Sequence, residues 1–249
     1  MNGKGENNMT NLEAIEMRHS RRSYLRTPIA TGSQKVLKAA IEKYNKISGL
    51  SIQFVENGSE AFKGFNLTYG MFHGIRSFFA MVGSTKDINL NEKIGYFGEL
   101  LVLEATKLGL GTCWVGGAFN KKHCNCTVRD DETLVCVILV GNVEENRGFK
   151  EKTIYKLAHR GTKTIEQLYT SDEQAPDWFL EGIKAVQKAP SAINQQPVHF
   201  NYQSGIITAS IDASASHRLI DLGIAKAHFD IATGGKFNFG NSAIFTKPE

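Results

Sequence analysis

The spacing of apolar residues along the chain predicts five helices. Four stretches carry apolar side chains three or four positions apart, which is the pattern of a helix with one buried face. A fifth helix is expected at Thr10, because Thr10 and Glu13 match the S/T-x-x-E capping box that satisfies amides at a helix start. The four amphipathic helices are predicted after Ser33, from about Asn91 to Leu108, from near Pro176, and from Leu219 to Thr233.

The predicted helix from Asn91 to Leu108 has the most extensive apolar surface. One face carries Ile94, Phe97, Leu101, Ala105 and Leu108. Val102 and Leu103 extend the apolar surface beyond that face, so this helix is expected to be central and buried. Gly109 is expected to end it, because glycine readily adopts the left-handed conformation that follows many helices.

Four short segments are predicted to be strands. Leu134 to Val140 is a continuous, β-branched apolar run, which favours a strand buried on both faces. The three other segments are Ser51–Val55, Ser77–Val82 and Ile206–Ile211. Long helices segregated from few strands predict an α+β fold, with central mixed or antiparallel sheets flanked by helices, rather than a doubly wound fold.

A faint internal repeat relates the two parts of the chain. Lys38-Ala39-Ala40 matches Lys184-Ala185-Val186 at an offset of 146 residues, and the same offset places Ser51–Phe54 on Pro197–Phe200. Ala105-Thr106 matches Ala232-Thr233 at an offset of 127 residues. Each half then reads helix, strand, strand, long helix, which predicts pseudo-symmetry. Chance similarity between amphipathic helices is the alternative.

Composition narrows the class of protein. The 249 residues carry a net charge of +4, too small an excess to argue for a nucleic-acid partner. No apolar run is long enough to span a bilayer, so a cytoplasmic protein with no membrane partner is expected. Residues 1–9 are predicted to be a disordered lead-in.

His123, Cys124 and Cys126 lack a further Cys/His pair, so free thiols are favoured over a metal site.

Arg18-His19-Ser20-Arg21-Arg22 follows the first predicted helix. Guanidinium groups bind phosphate in a bidentate manner, and a serine hydroxyl adds a hydrogen bond. This segment is therefore a candidate phosphate site. The alternative is a solvated basic helix end, which the helix dipole favours.

Ala189 to Pro197 is a polar turn between two prolines. Asn194 and Gln195 both donate and accept hydrogen bonds, which suits the mixed polar edge of a flavin ring. An ordinary helix-to-strand connector is the alternative, because polar side chains also stabilise turns.

Two further segments suggest a ligand site. Leu108 to Phe119 holds four glycines, which allow the backbone to approach a flat ligand, although a helix cap and tight turn is the alternative. His159 to Lys163 places basic residues before a predicted helix from Thr164 to Tyr169, a suitable position for a phosphate. Basic residues are also common on protein surfaces.

These motifs together resemble the nitroreductase family. The chain contains R-H-S-x-R at Arg18–Arg22, G-L-G-T-x-W-V-G-G at Gly109–Gly117, R-x-x-K at Arg160–Lys163 and P-S-x-x-N-x-Q-P at Pro190–Pro197. The resemblance covers about Glu13 to Thr233. It implies a nitroreductase-like α+β fold and an FMN-dependent NAD(P)H oxidoreductase.

The position of one motif departs from the usual family pattern. Ordinary members carry P-S-x-x-N-x-Q-P soon after R-H-S-x-R/K, and two identical subunits share each flavin site. Here the early position reads Lys46–Leu50, and the motif lies at Pro190–Pro197 instead. The chain is similar to a subset of single-chain pseudo-dimers. A first half at residues 10–170 and a shorter second half at 171–249 would then complete one flavin site in a monomer.

The resemblance also implies roles for individual residues. Arg18, Ser20 and Arg22 would hold the FMN phosphate and ribityl hydroxyls beside His19, and Arg160 and Lys163 would reach the phosphate. The isoalloxazine would contact Pro190, Ser191 and Asn194, with the backbone of Val115, Gly116 and Gly117 near flavin N5.

The implied reaction is ping-pong hydride transfer from NADH or NADPH, through flavin N5, to a nitroaromatic or quinone-type acceptor. No catalytic side chain and no metal are expected, because the cofactor carries the chemistry. The partner would be this small-molecule acceptor. Two alternatives stay open: an FMN-binding storage or regulatory protein without turnover, and a degenerate protein that has lost FMN.

Overall fold

The computed structural model describes residues 9–63, 72–145, 161–212, 214 and 217–247. Of the predicted lead-in, only Met9 lies in these ranges. The described residues contain five α-helices, which match five of the six predicted helices: α1 Asn11–Met17, α2 Thr31–Ser48, α3 Leu90–Lys107, α4 Asp177–Gln187 and α5 Arg218–Thr233. No helix among them is long and apolar enough to cross a membrane. The capping box at Thr10 is confirmed, since Thr10 and Glu13 bond each other's backbone amides.

The first sheet has four antiparallel strands in the order β1-β2-β4-β3. The strands are β1 Gln53–Val55, β2 Ser77–Ser84, β3 Gly111–Val115 and β4 Glu132–Gly141. The prediction of a buried strand at Leu134–Val140 is confirmed, because β4 is an interior strand of this sheet. The alternative of a helix cap and tight turn describes only the start of this segment: Gly109 has a φ of 72° just after α3, and Gly111–Val115 then pairs with β4 along its whole length.

Helices cover one face of the first sheet. Leu37 and Ile41 of α2, with Ile94 and Leu101 of α3, pack against Ile138 on that face. On the other face a second apolar cluster includes Phe78, Val137 and Leu139, together with Phe119 from the segment after β3. Since α3 is buried along most of its length, its predicted central position is confirmed.

The second sheet is smaller and mixed. It contains β5 Tyr169–Ser171, β6 His199–Gln203 and β7 Ile206–Ser210, with β5 parallel to β6 and β6 antiparallel to β7. A two-stranded ribbon of β8 Lys236–Phe237 and β9 Phe245–Thr246 follows α5. Helices α4 and α5 pack on the second sheet around Phe179, Phe200 and Phe229.

The predicted helix from Thr164 to Tyr169 is wrong. A single 3-10 turn spans Ile165–Gln167, after which the chain enters β5. The side chain of Leu168 is buried in the cluster around Phe179, Phe200 and Phe229, and pairing with β6 extends the chain from Tyr169 onward. The predicted boundary after Thr170 therefore cuts a strand of the second sheet.

Helices α3 and α5 lie in close contact at the centre of the molecule. A Cβ added to Gly95 would lie 2.0 Å from the carbonyl oxygen of Ile220, and one added to Gly223 would lie 1.9 Å from that of Glu92. The first contact joins residues 125 positions apart and the second joins residues 131 positions apart. The order α2-β1-β2-α3 recurs as α4-β6-β7-α5, which is the order expected from the repeat.

Candidate functional site

A cavity of about 640 Å³ lies where the two halves of the chain meet. Its walls come from the segment after α1, the end of β3, the turn after α4 and the first turns of α5. Ten of the twelve residues predicted for the flavin site line it: Arg18, His19, Ser20, Arg22, Val115, Gly116, Gly117, Pro190, Ser191 and Asn194. Motifs distant in sequence thus share one cavity.

The basic segment reaches the cavity because it runs beside β3. Ser20 forms a parallel bridge with Thr112, and the Arg21 amide donates to the Thr112 carbonyl at 2.8 Å. The Arg21 side chain is buried and donates to the Glu144 carbonyl at 2.9 Å. Arg18 and Arg22, by contrast, line the cavity.

Arg18 joins the two halves at the cavity wall. Its Nη2 donates to the Lys188 carbonyl at 3.2 Å, and its Nε lies 3.7 Å from Oε1 of Glu99. The Nε atom is buried and has no hydrogen-bond partner among the described residues. Nε faces the Glu99 carboxylate inside the protein, so an anionic group in the cavity would be bound by the terminal nitrogens of Arg18 instead.

Gly116 and Gly117 lie at the end of β3, on the cavity wall. Neither has a positive φ, and a Cβ added to either would meet no atom within 4 Å. Backbone conformation and packing among the described residues therefore do not require glycine here. A ligand lying against the backbone would require it.

In the turn after α4, three residues other than glycine have a left-handed backbone conformation. Ile193, Asn194 and Gln196 have φ values of 46°, 53° and 47°. Such residues cluster at ligand sites, where the surrounding structure holds them. Here the Ser191 hydroxyl accepts the Gln196 amide at 2.9 Å, which closes the turn.

A ring of hydrogen bonds fixes this turn against the backbone of Lys163 and the end of α4. The Gln196 side chain accepts from the Lys163 amide and donates to the Gln187 carbonyl, each at 2.8 Å. The Gln187 side chain donates to the Lys163 carbonyl at 2.8 Å. The glutamine of the P-S-x-x-N-x-Q-P motif is therefore a structural residue that supports the cavity wall.

The predicted phosphate ligands Arg160 and Lys163 are not placed at the cavity. Arg160 lies outside the described residues. Lys163 is described but does not line the cavity, because its backbone is held in the glutamine ring. Its charge lies close to His199, whose pKa is lowered by burial and by this neighbouring charge.

Asp221 lines the cavity but was not predicted. Its carboxylate, on the first turn of α5, accepts the Ala192 amide at 3.2 and 3.3 Å. Burial raises the pKa of Asp221 to about 6, although the Ala192 hydrogen bond and the Arg218 charge oppose the rise. The signal in the sequence is a carboxylate within an apolar run from Leu219 to Ile224.

A buried charge network lies behind the cavity wall and was also not predicted. Glu99 accepts from Nε2 of His228 and from Nε1 of Trp114, each at 3.0 Å. Glu99 and His228 have no exposed surface, whereas Trp114 and Arg18 reach the cavity. Burial alone would raise the pKa of Glu99, but its hydrogen bonds and the charges of His228 and Arg18 lower the pKa overall.

The alternative of a metal site gains no support. In the part of the chain that the structure describes, no three His, Cys, Asp or Glu side chains are grouped to hold a metal ion. All four cysteines are free thiols, and burial raises the pKa of Cys124 to about 11.

Comparison with known proteins gives one family. The family model described as "Putative TM nitroreductase" matches residues 10–233. A solved nitroreductase from Thermotoga maritima is 22% identical, with a TM-score of 0.64 over 95% of this chain and 92% of that chain. That likeness establishes the fold. No curated protein matches the sequence.

Two further solved structures resemble part of the chain. An FMN-dependent nitroreductase from Clostridium difficile is 15% identical, with a TM-score of 0.43 over 60% of this chain and 98% of that chain. A nitroreductase with bound FMN from Bacteroides fragilis is 17% identical, with a TM-score of 0.41 over 56% and 91%. Their similarity is too low to compare sites.

Proposed function

The chain belongs to the "Putative TM nitroreductase" family, and from this membership we propose that it is an FMN-dependent NAD(P)H oxidoreductase. Bound FMN would supply the redox chemistry, taking a hydride at N5 from NADH or NADPH and passing it to a nitroaromatic or quinone-type acceptor in ping-pong order. The electron donor and the electron acceptor would bind in turn in this same cavity.

One observation carries this proposal: motifs from both ends of the chain line a single cavity large enough for a cofactor. Its volume of about 640 Å³ lies within the range of about 300–1,000 Å³ that is typical of small-molecule sites. Arg18 and Lys188, 170 residues apart, are joined by a hydrogen bond at its wall. One site per chain would let a monomer be complete, as in a single-chain pseudo-dimer.

The side chains present fit FMN. The guanidinium of Arg18, with Arg22 nearby on the same segment, suits a phosphate. The backbone at Gly116 and Gly117 leaves room for a flat ring system. Asn194 and Ser191 would supply polar contacts to the ring edge, and the fixed turn would keep them in place before the ligand binds.

The test is the absorption spectrum of the purified protein before and after anaerobic NAD(P)H. We expect flavin bands that bleach with the donor and return with a nitroaromatic or quinone. Arg18→Ala and Arg22→Ala should each lower flavin retention, because each removes a cation from the cavity. Arg26→Ala is the matched control, because Arg26 is exposed and does not line the cavity.

The remaining alternatives give different results in the same experiments. Stoichiometric flavin without steady-state NAD(P)H oxidation would indicate a binding protein without turnover. Protein that neither retains nor rebinds FMN would contradict the proposed function.

The free thiols support a reducing compartment such as the cytoplasm.

A further inference from the structure

Hydrogen bonds at both ring nitrogens fix the position of His228. Its Nδ1 lies 2.9 Å from the Ala185 carbonyl and its Nε2 lies 3.0 Å from Oε1 of Glu99. The Ala185 carbonyl can only accept, so Nδ1 donates to it and Nε2 pairs with the Glu99 carboxyl group. The ring and the Glu99 side chain are both fully buried.

Glu99 contacts both His228 and Arg18 in this network. Its Oε1 faces both His228 and Arg18, while its Oε2 is held by the Trp114 indole. Because the network lowers the pKa of Glu99, the carboxylate stays ionised at neutral pH. That charge attracts the Arg18 guanidinium, and the attraction is strengthened by the poorly solvated surroundings.

The guanidinium of Arg18 is held in place, but not all of its hydrogen-bond donors are used. Glu99 attracts it from the protein interior and the Lys188 carbonyl accepts from its Nη2. A guanidinium has five N–H donors, and the side chain of Arg18 makes this one hydrogen bond within the described part of the chain. The other donors on its terminal nitrogens are available for an oxyanion at the cavity.

We infer that Glu99, itself fixed by His228 and Trp114, is a positioning residue that holds the Arg18 guanidinium for the phosphate group of the cofactor. The inference rests on the proposed function, since FMN supplies that phosphate. Glu99 acts through Arg18 and does not line the cavity itself. Its loss should therefore weaken the recognition of phosphate and leave the recognition of the flavin ring unchanged.

The experiment compares FMN with riboflavin, which lacks the phosphate. Apoprotein of the full chain is titrated with each flavin by fluorescence quenching, and the ratio of the two Kd values gives the phosphate preference. In Glu99→Gln we expect the preference to fall about 10-fold, as for the loss of a charge-assisted contact. The Kd for riboflavin should stay within about 2-fold of wild type, because the ring contacts are retained.

Glu92→Gln is the matched control. Glu92 lies on the same helix as Glu99, is equally buried, and pairs with the buried Lys226 at 2.5 Å while accepting the Gly240 amide at 2.6 Å. Either substitution leaves one donor without its carboxylate partner, so both variants lose fold stability for the same reason. Neither Glu92 nor Lys226 lines the cavity, so this control should keep the wild-type preference.

A double-mutant cycle separates positioning from a general loss of structure. In an Arg18→Gln background, adding Glu99→Gln should change the phosphate preference by less than about 2-fold, because the residue being positioned is gone. The ratio is measured on one preparation, so an unfolded fraction affects both flavins equally. Thermal unfolding of each variant confirms that a folded fraction is present.

The outcomes distinguish the two proposals. A wild-type preference for FMN that survives in Glu99→Gln would overturn the positioning role and leave the proposed function intact. A fall of the preference in Glu92→Gln, or a further fall in the Arg18→Gln background, would also overturn it. If wild-type apoprotein bound neither flavin, the proposed function would fail, and the inference would fail with it.

Discussion

Ile193 carries backbone strain at the wall of the cavity. It is β-branched, has φ 46° and ψ 32°, and its side chain is 56% exposed, so burial offers little compensation. The left-handed region costs an ordinary L-residue about 1–2 kcal/mol, whereas asparagine tolerates it better. The turn therefore keeps a locally unfavourable conformation, which is typical of ligand sites.

Relief of this strain is measurable. Ile193→Asn should raise the free energy of unfolding by about 1 kcal/mol, as measured by urea denaturation of the apoprotein. Ile88→Asn is the control, because Ile88 is 91% exposed and has no positive φ. If both variants changed stability equally, the strain assigned to Ile193 would be wrong.

Asp221 should make stability depend on pH. Burial raises its folded pKa to about 6, compared with about 4 in an unfolded chain. The folded state therefore holds the proton more tightly, so the contribution of Asp221 is fully present below pH 4 and is lost as pH rises through about 6. Relative to wild type, Asp221→Asn should gain about 1–3 kcal/mol of unfolding free energy between pH 4 and pH 7.

Chemical denaturation at several pH values checks this difference. Asp130→Asn is the control, because Asp130 is exposed and does not line the cavity. A difference between Asp221→Asn and wild type that stays constant from pH 4 to pH 7 would show that Asp221 titrates normally in the folded protein.

At the scale of elements, the turn after α4 depends on Gln196. This side chain is 6% exposed and bonds the backbone of both Lys163 and Gln187. Gln196→Ala leaves a donor and an acceptor without partners, so we expect a loss of about 2–3 kcal/mol of unfolding free energy and weaker FMN retention. Gln195→Ala, in the same turn but without a side-chain hydrogen bond within the described residues, should be close to wild type. Equal stability of the two variants in urea would contradict the role of the ring.

Apolar periodicity predicted the long elements because their burial follows directly from it. Helix α3 and strand β4 both occur within two residues of their predicted bounds. Strand β3 was missed because glycines at 109, 111, 116 and 117 masked the short Thr112–Val115 run, and only pairing with β4 reveals it. Residues 165–169 form only a 3-10 turn and no α-helix, because pairing with β6 from Tyr169 outweighs local preference.

The sequence predicted those parts of the candidate site that are formed by local motifs. It did not predict the charged side chains that pair although they are far apart in the sequence. The segment at Arg18–Arg22 and the turn at Pro190–Pro197 were identified from their residues and line one cavity. Glu99 and His228 are 129 positions apart, so no local pattern reveals their pairing. Each looks like an isolated polar residue in an apolar helix until the helices are placed together.

At the scale of the whole molecule, the α3–α5 contact joins the two halves. Gly95 meets the backbone at Ile220, and Gly223 meets the backbone at Glu92. Residues 92 and 95 are thus paired reciprocally with 220 and 223, which is the contact pattern of an isologous dimer interface. This reciprocity supports the proposal that a single chain reproduces a subunit pair. It makes residue 92 equivalent to 220 and residue 95 equivalent to 223, an offset of 128 that differs by one from the 127 suggested by Ala105 and Ala232.

Gly223→Ala tests whether that contact sets the cavity. The added methyl would lie 1.9 Å from the Glu92 carbonyl oxygen, so α3 and α5 must separate, and we expect a loss of about 3 kcal/mol of unfolding free energy. The cavity takes Asp221 from α5 and Arg18 from the first half, so FMN retention should fall as well. Gly32→Ala is the matched control. Gly32 lies in the first turn of α2, and a Cβ added to it would have no atom within 4 Å. Helix propensity therefore predicts unchanged stability or a gain of up to about 1 kcal/mol. Both variants are measured by urea denaturation and by flavin absorbance. A Gly223→Ala protein that is as stable as wild type and retains as much flavin would show that neither the fold nor the cavity depends on this contact.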